Sequence, residues 1–279
     1  MGRSLGFLNE PASSSAPLGS REWDSETYHR LSSPQVGWGR RVLSRLQLKG
    51  DETVLDAGCG TGRLTAELLD RLPHGRVFAV DLSQNMVLTA RQHLQPQFSR
   101  QTAFVVADLQ YLPYFQAMDG IFSTATFHWV KDHDRLFRSL YTALRPGGWL
   151  EAQCGGGPNL ANLLGKATRL ISVPPLDQFF VGWQSPWEYA SPETTTERLR
   201  RAGFEEVSAS LEPAPVRFDE PEKFRQYLAT VIFHRHLDRI SIHGLRERFL
   251  DELTQQSAKD DPPLVADYWR LNMSARRPV

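Results

Sequence analysis

Three observations predict an α/β fold built on a doubly wound sheet. They are a glycine-rich turn closing an apolar run, two further apolar runs that also stop at an aspartate, and strands alternating with helical patterns. The first is Val54-Leu55-Asp56-Ala57-Gly58-Cys59-Gly60-Thr61-Gly62. Glycines at Gly58, Gly60 and Gly62 remove Cβ atoms, so the backbone can turn tightly from strand to helix and approach a bound molecule closely. The helical pattern from Arg63 to Leu69 follows, with an apolar side.

The second run, Arg76 to Val80, ends in Asp81, and the third, Ala103 to Ala107, ends in Asp108. Asp81 stands about twenty residues past the glycines, where a nucleoside-binding unit places the acid that takes the ribose hydroxyls. Strands ending in Asp56, Asp81 and Asp108 bring three carboxylates to the sheet edge where open α/β folds bind ligands.

The remaining elements follow in order. Gly120 to Ala125 reads as a fourth strand and Asp134 to Leu144 as an amphipathic helix stopped by Pro146-Gly147-Gly148. Trp149 to Gln153 is the fifth strand, and Gly155-Gly156-Gly157 releases the chain into less regular sequence. A helix is expected from about Asn159 to Leu170, then a segment dense in aromatics and proline from Phe179 to Tyr189. Pro192 starts a helix that ends at Gly203, Phe204 to Leu211 is a sixth strand, and helical patterns fill Pro221 to Gln256. Leu264 to Met273 lacks a helical face and reads as a closing strand, with a terminal helix as the alternative.

At the other end, Pro11 to Ser20 has too little apolar content to pack, and residues 1–20 read as a flexible tail. Residues 21–47 carry an apolar pattern through Tyr28, Val36, Trp38, Val42 and Leu46, predicting helical segments interrupted at Pro34 and Gly37. Residues 48–279 form the main domain, with cap segments near 158–190 and 217–262.

Composition narrows the partners. Lys plus Arg and Asp plus Glu number 32 each, with no long run of one sign, so no nucleic-acid backbone or anionic membrane is indicated. No apolar run approaches the roughly 20 residues that span a bilayer, and the first residues lack a signal-peptide core; a soluble cytoplasmic chain is expected. Cys59 and Cys154 read as free thiols, and their spacing does not match a zinc site. His234-Arg235-His236 lacks a third ligand nearby and reads as a polar helix face or pocket wall, so no metal is expected. Oligomeric state is not encoded in any of these features.

Taken as a set, the motifs resemble those of the class I S-adenosylmethionine-dependent methyltransferases. Asp56 to Gly62 is similar to their first motif, Asp81 to their ribose-binding acid, Ala107-Asp108-Leu109 to the segment that holds adenine, and Leu144-Arg145-Pro146-Gly147-Gly148 to the turn into their fifth strand. Phe127-His128-Trp129-Val130 and the polar stretch after it look most like the small-molecule carboxyl methyltransferases related to trans-aconitate methyltransferase, and also like the malonyl-carrier-protein methyltransferase of biotin synthesis. The resemblance implies a Rossmann-like seven-stranded sheet whose last strand is antiparallel, with helical cap insertions, and S-adenosylmethionine as cofactor.

It further implies a cofactor site of Asp56, Gly58, Cys59, Gly60, Thr61, Gly62, Asp81, Leu82, Met86, Asp108, Leu109 and Thr124, with Tyr28 and Gln35 reaching over from the N-terminal arm. Leu82 and Met86 would pack on the adenine face. The acceptor is expected to be a small organic molecule, under a roof supplying Trp183, Trp187, Tyr189 and His234. His128 follows the fourth strand and has two open roles. It orients an acceptor that is already ionised, or it serves as the base for a hydroxyl or amine. Two different functions share parts of this pattern: a nicotinamide-dinucleotide oxidoreductase, which also uses a glycine turn and a ribose acid, and a non-catalytic S-adenosylmethionine-binding scaffold.

Overall fold

The computed structural model describes residues 33–279. Seven strands form the main sheet: β1 (Thr53–Ala57), β2 (Arg76–Asp81), β3 (Thr102–Val106), β4 (Met118–Thr124), β5 (Leu144–Gly155), β6 (Glu205–Pro213) and the last strand, β9 (Trp269–Arg276). Their order across the sheet is β3-β2-β1-β4-β5-β9-β6. The first five pair in parallel, and β9 runs antiparallel between β5 and β6. The order reverses at β1 and β4, which opens a crevice beyond the C-terminal ends of these strands.

Alternation along the strands explains the layers. Val54 and Phe122 face one side and pack with α1 (Ser33–Arg45), α2 (Arg63–Leu69) and α3 (Gln84–Phe98) through Val42, Leu68 and Leu94. Leu55 and Ile121 face the other side and meet α4 (His133–Ala143) and α6 (Pro192–Arg201) through Leu136, Phe137, Leu140 and Leu199. Each fully buried Leu or Phe in these layers contributes about 1.5–3 kcal/mol. Ser83 and Ser191 start α3 and α6 by accepting the Met86 and Thr194 amides.

A third cluster forms the cap. It joins α5 (Ala161–Ile171) to α7 (Pro221–Tyr227), α8 (His234–Arg239) and α9 (His243–Ser257) through Leu163, Phe224, Phe233 and Phe249. Trp38 of α1 and Tyr268, just before β9, belong to the same cluster and tie the cap to the sheet. Between α7 and α8, residues Leu228–Ile232 form a π-helical turn in which Phe233 N–H reaches the Leu228 carbonyl. Such turns displace side chains from the regular helical face.

Three expectations change. Gly37 does not interrupt the arm: α1 runs unbroken from Ser33 to Arg45, with Pro34 in its first described turn. The last strand begins at Trp269 rather than Leu264; Val265–Ala266 (β8) instead pairs with Val216–Arg217 (β7) in a separate ribbon. Leu144 opens β5 rather than ending the preceding helix, and Pro146-Gly147-Gly148 lies in a register shift between Leu144 and Trp149.

Candidate functional site

The glycine loop is shaped by what surrounds it. Gly58 takes φ 89°, and a Cβ there would stand 2.0 Å from Thr126 Oγ1, so the loop and the end of β4 touch without room for a side chain. A Cβ on Gly62 would press on Ala90 of α3 at 3.1 Å, which gives this glycine a helix-packing role. Gly60, at φ 53°, has open space where its Cβ would lie. Its amide donates to Asp81 Oδ2 at 3.0 Å, while Ser83 N–H donates to Asp81 Oδ1 at 2.9 Å. The strand-end acid is thereby fixed at the mouth of the loop.

Beside it, Leu82 is 58 % exposed, and Val106, the register neighbour of Asp81, is 50 % exposed. Two large apolar side chains left uncovered next to a carboxylate form a surface suited to a purine face. Met86 is buried in the first turn of α3 and stands apart from that exposed surface. Asp108 accepts from Gln110 N–H at 2.9 Å and from its side-chain amide, capping the short turn Leu109–Tyr111, so an adenine amine would share a carboxylate already in use. Leu109 is buried behind it. An open glycine backbone, a held acid and a bare apolar shelf fit an S-adenosyl group.

Asp56 is only 2 % exposed and accepts the Thr65 hydroxyl at 2.6 Å across the loop. Burial lifts its carboxyl to about 7, with the nearby Asp81 charge adding to the effect. Its visible work is to brace the loop. Cys59 and Thr61 are buried in the loop; burial pushes the Cys59 thiol up, and Cys154 is pushed up to about 12, so neither is a reactive thiolate. Thr124 ends β4, and its carbonyl accepts the Thr126 hydroxyl at 2.9 Å.

A cavity of about 40 Å³ opens past the ends of β4 and β5. Its polar lining is Gln35, His128, Asn159, Tyr189, Tyr268 and Arg270; Ala125, Trp129, Leu160, Trp187, Val231 and Ile232 supply the apolar part. The π-helical turn brings Val231 and Ile232 to it. The aromatic segment is tied down by Glu188 N–H donating to the His128 carbonyl at 2.8 Å and by Lys131 Nζ donating to the Ser185 and Trp187 carbonyls.

His128 has a defined tautomer. Gly155 N–H donates to its Nδ1 at 3.2 Å, so the neutral ring carries its proton on Nε2. Burial, followed by the Arg270 charge, holds the ring well below the ordinary histidine range, so it stays neutral. It is a hydrogen-bond donor with its acceptor nitrogen occupied, an arrangement opposed to a general base. Behind it, Arg198 donates to His133 Nδ1 at 3.2 Å, which leaves His133 Nε2–H to hold the Phe127 carbonyl at 3.0 Å. This second histidine steadies the turn Phe127–Trp129.

Arg270 is the feature that sequence reasoning missed. It is 2 % exposed, lies over the Trp38 ring at 4.5 Å, and reaches Gln153 Oε1 at 3.4 Å. No carboxylate pairs with it among the described residues, and burial pulls its guanidinium below the ordinary arginine range. A buried cation without a protein counter-ion costs several kcal/mol unless a ligand supplies the anion. The available signal was an arginine flanked by Trp269 and Leu271 at the start of the last strand. Tyr227 and Tyr268 were missed as well; their hydroxyls meet at 3.1 Å, and Tyr227 receives Gln35 Nε2 at 2.9 Å.

The other expected positions divide. Trp187 and Tyr189 line the cavity and stack at 5.9 Å. Trp183 does not; it packs against Phe180 and His236, with Arg239 over its ring. His234 lies behind Trp129, 5.7 Å between ring centroids, with burial pulling it down to about 3. His236, expected on a polar face, is buried among Trp183, Trp187, Phe233 and Phe249. His234 and His236 both lie on α8, which follows the π-helical turn. Gln35 sits at the cavity rather than over the glycine loop, and its Oε1 is buried without a partner. Tyr28 lies outside the described residues. Among the described residues no cluster of metal-ligating side chains occurs, and no helix is long and apolar enough to cross a membrane.

Comparison with known proteins agrees with this geometry. A methyltransferase domain family matches residues 54–148. Trans-aconitate 2-methyltransferase of Variovorax paradoxus is 34% identical over 204 residues, 71% of this chain and 70% of that protein. The Azoarcus enzyme of the same name is 37% identical over 131 residues, 47% of this chain, and the match spans 50% of the relative's length. Among solved structures, a Haemonchus contortus phosphoethanolamine N-methyltransferase 2 in complex with S-adenosyl-L-methionine superposes with a TM-score of 0.60 at 18% identity, covering 91% of this chain and 57% of that one. The last likeness is one of fold.

Proposed function

Since the chain belongs to the class I S-adenosylmethionine-dependent methyltransferases, with trans-aconitate 2-methyltransferases among its relatives, we propose that it esterifies a small carboxylic acid. The observation that carries this reading is Arg270: a buried guanidinium without a counter-ion among the described residues, lining the same cavity as the Nε2–H of His128. Arginine matches a carboxylate in plane and charge, and a second donor beside it fixes the orientation of the acid.

The glycine loop and Asp81 hold the cofactor in this reading, with Leu82 under the adenine and Asp108 at its amine. When bound, S-adenosylmethionine supplies a methyl on a sulfonium sulfur that leaves as the neutral thioether S-adenosylhomocysteine, so an ionised acceptor oxygen gains the methyl and no proton need be removed. The protein's own work is therefore positioning. Arg270 binds the carboxylate, His128 donates to it, and the cap excludes water from the cavity. A general base is superfluous for such an acceptor, which is ionised at neutral pH. The relatives described above are methyltransferases and do not favour the nicotinamide-dependent alternative. The scaffold alternative gives no purpose to a buried cation that has no counter-ion among the described residues.

The test is methyl transfer from labelled cofactor onto carboxylic acids, amines and phenols. Label in acids alone supports the reading, and label confined to amines or phenols removes it.

A further inference from the structure

Resting on the carboxylate reading above, we infer that the natural acceptor is a monocarboxylic acid with an apolar body, rather than a polycarboxylate. The charge available in the cavity sets this limit. Arg270 is its one cation among the described lining residues. The other titratable lining groups are neutral: His128 keeps its proton on Nε2 alone, and burial pushes the Tyr189 and Tyr268 phenols up. Lys131, the nearest lysine in sequence, is committed to the Ser185 and Trp187 carbonyls.

One carboxylate on Arg270 completes an ion pair that the fold leaves open. A second or third carboxylate would be taken out of water against phenols, amides and hydrocarbon with no further cation among the described lining residues to meet it, and such a group binds poorly. The rest of the cavity favours hydrocarbon instead. Trp129 and Trp187 meet at 5.7 Å and, with Leu160, Val231 and Ile232, offer a wall that gains from burying an apolar chain or ring. Trans-aconitate, for which the relatives are named, carries three carboxylates, two more than the cations among the described lining residues.

The inference is tested on the full chain with labelled S-adenosylmethionine and four probe acids at neutral pH: trans-cinnamate, octanoate, trans-aconitate and citrate. Calorimetric titration of the same acids into protein saturated with S-adenosylhomocysteine provides a readout independent of turnover. Cinnamate or octanoate should exceed trans-aconitate by about 100-fold or more in kcat/KM, and should bind where the polycarboxylates do not. Equal or better use, or tighter binding, of trans-aconitate overturns the inference and leaves the carboxylate reading standing. Failure of every acid to bind or accept label, with amines or phenols methylated, overturns both. In Arg270→Met, cinnamate binding should be lost; retained binding shows that the carboxylate is held elsewhere and also counts against the inference.

Discussion

Replacing Arg270 by Met separates function from stability. Met roughly preserves the length of the stem and removes the charge. In the complex, Arg270 faces the acceptor's carboxylate, and removing one partner of a buried ion pair costs about 3–5 kcal/mol. At 1.4 kcal/mol per tenfold, kcat/KM should fall about 100- to 3,000-fold. The folded protein without acceptor should respond in the opposite sense. Arg270 is 2 % exposed with no acidic partner, so the wild-type fold bears a desolvation cost that Met relieves. Against that stand the Trp38 contact, up to about 2 kcal/mol, and the long bond to Gln153, about 1 kcal/mol. The balance leaves the melting temperature unchanged or raised by a few degrees, at about 2–4 °C per kcal/mol. Steady-state kinetics and thermal denaturation on the same preparation measure both. A variant that keeps wild-type kcat/KM, or one that loses activity together with a large drop in melting temperature, refutes the reasoning.

Three further outcomes are expected. Asp81→Ala should weaken S-adenosylhomocysteine by about 1.5–3 kcal/mol, measured by calorimetry; unchanged affinity in a folded variant removes the ribose assignment. His128→Ala should leave cofactor affinity within about twofold and lower turnover about tenfold or more, and His128→Gln, which retains an N–H donor, should recover part of that loss. No recovery in the Gln variant, with a pH profile showing a required base, would reverse the donor role. Asp56→Asn concerns stability: its carboxyl is lifted to about 7 in the fold against about 3.9 when unfolded. Between those values the folded state holds a proton the unfolded state has lost, so stability falls as pH rises. Urea denaturation at pH 5 and pH 8 should show the wild type losing up to about 2.6 kcal/mol more than Asp56→Asn across that window; equal losses contradict the assignment.

Much of the fold was legible because its signals are local. Glycines that must take positive φ, and strands that stop at Asp56 and Asp81, announce themselves within a few residues, and the sheet order follows from βαβ chirality. Gly37 was misleading for a definite reason: a glycine inside a helix costs only about 1 kcal/mol, and α1 buries Val36, Trp38, Val42 and Leu43 around it. The acceptor cavity was harder. It draws Gln35, His128, Tyr189, Val231 and Arg270 from five distant segments, and nothing in their local sequence marks a shared destination. Trp183 and His234 stand close in sequence to lining residues, yet Trp183 packs on His236 and His234 on Trp129, outside the cavity lining. Arg270 shows the general difficulty: its importance lies in the absence of a nearby carboxylate, a property of the packed chain rather than of the strand that carries it.

The central claim, that this chain makes a methyl ester on an acid held by Arg270, is tested most directly by the chemistry of the product. Wild-type protein would be incubated with methyl-labelled S-adenosylmethionine and a monocarboxylic acceptor, then treated with mild alkali and assayed for volatile label. The account predicts labelled methanol, released from an ester and absent with Arg270→Met. Transferred label that survives alkali, as an ether, an amine or a carbon-bound methyl group would, contradicts it.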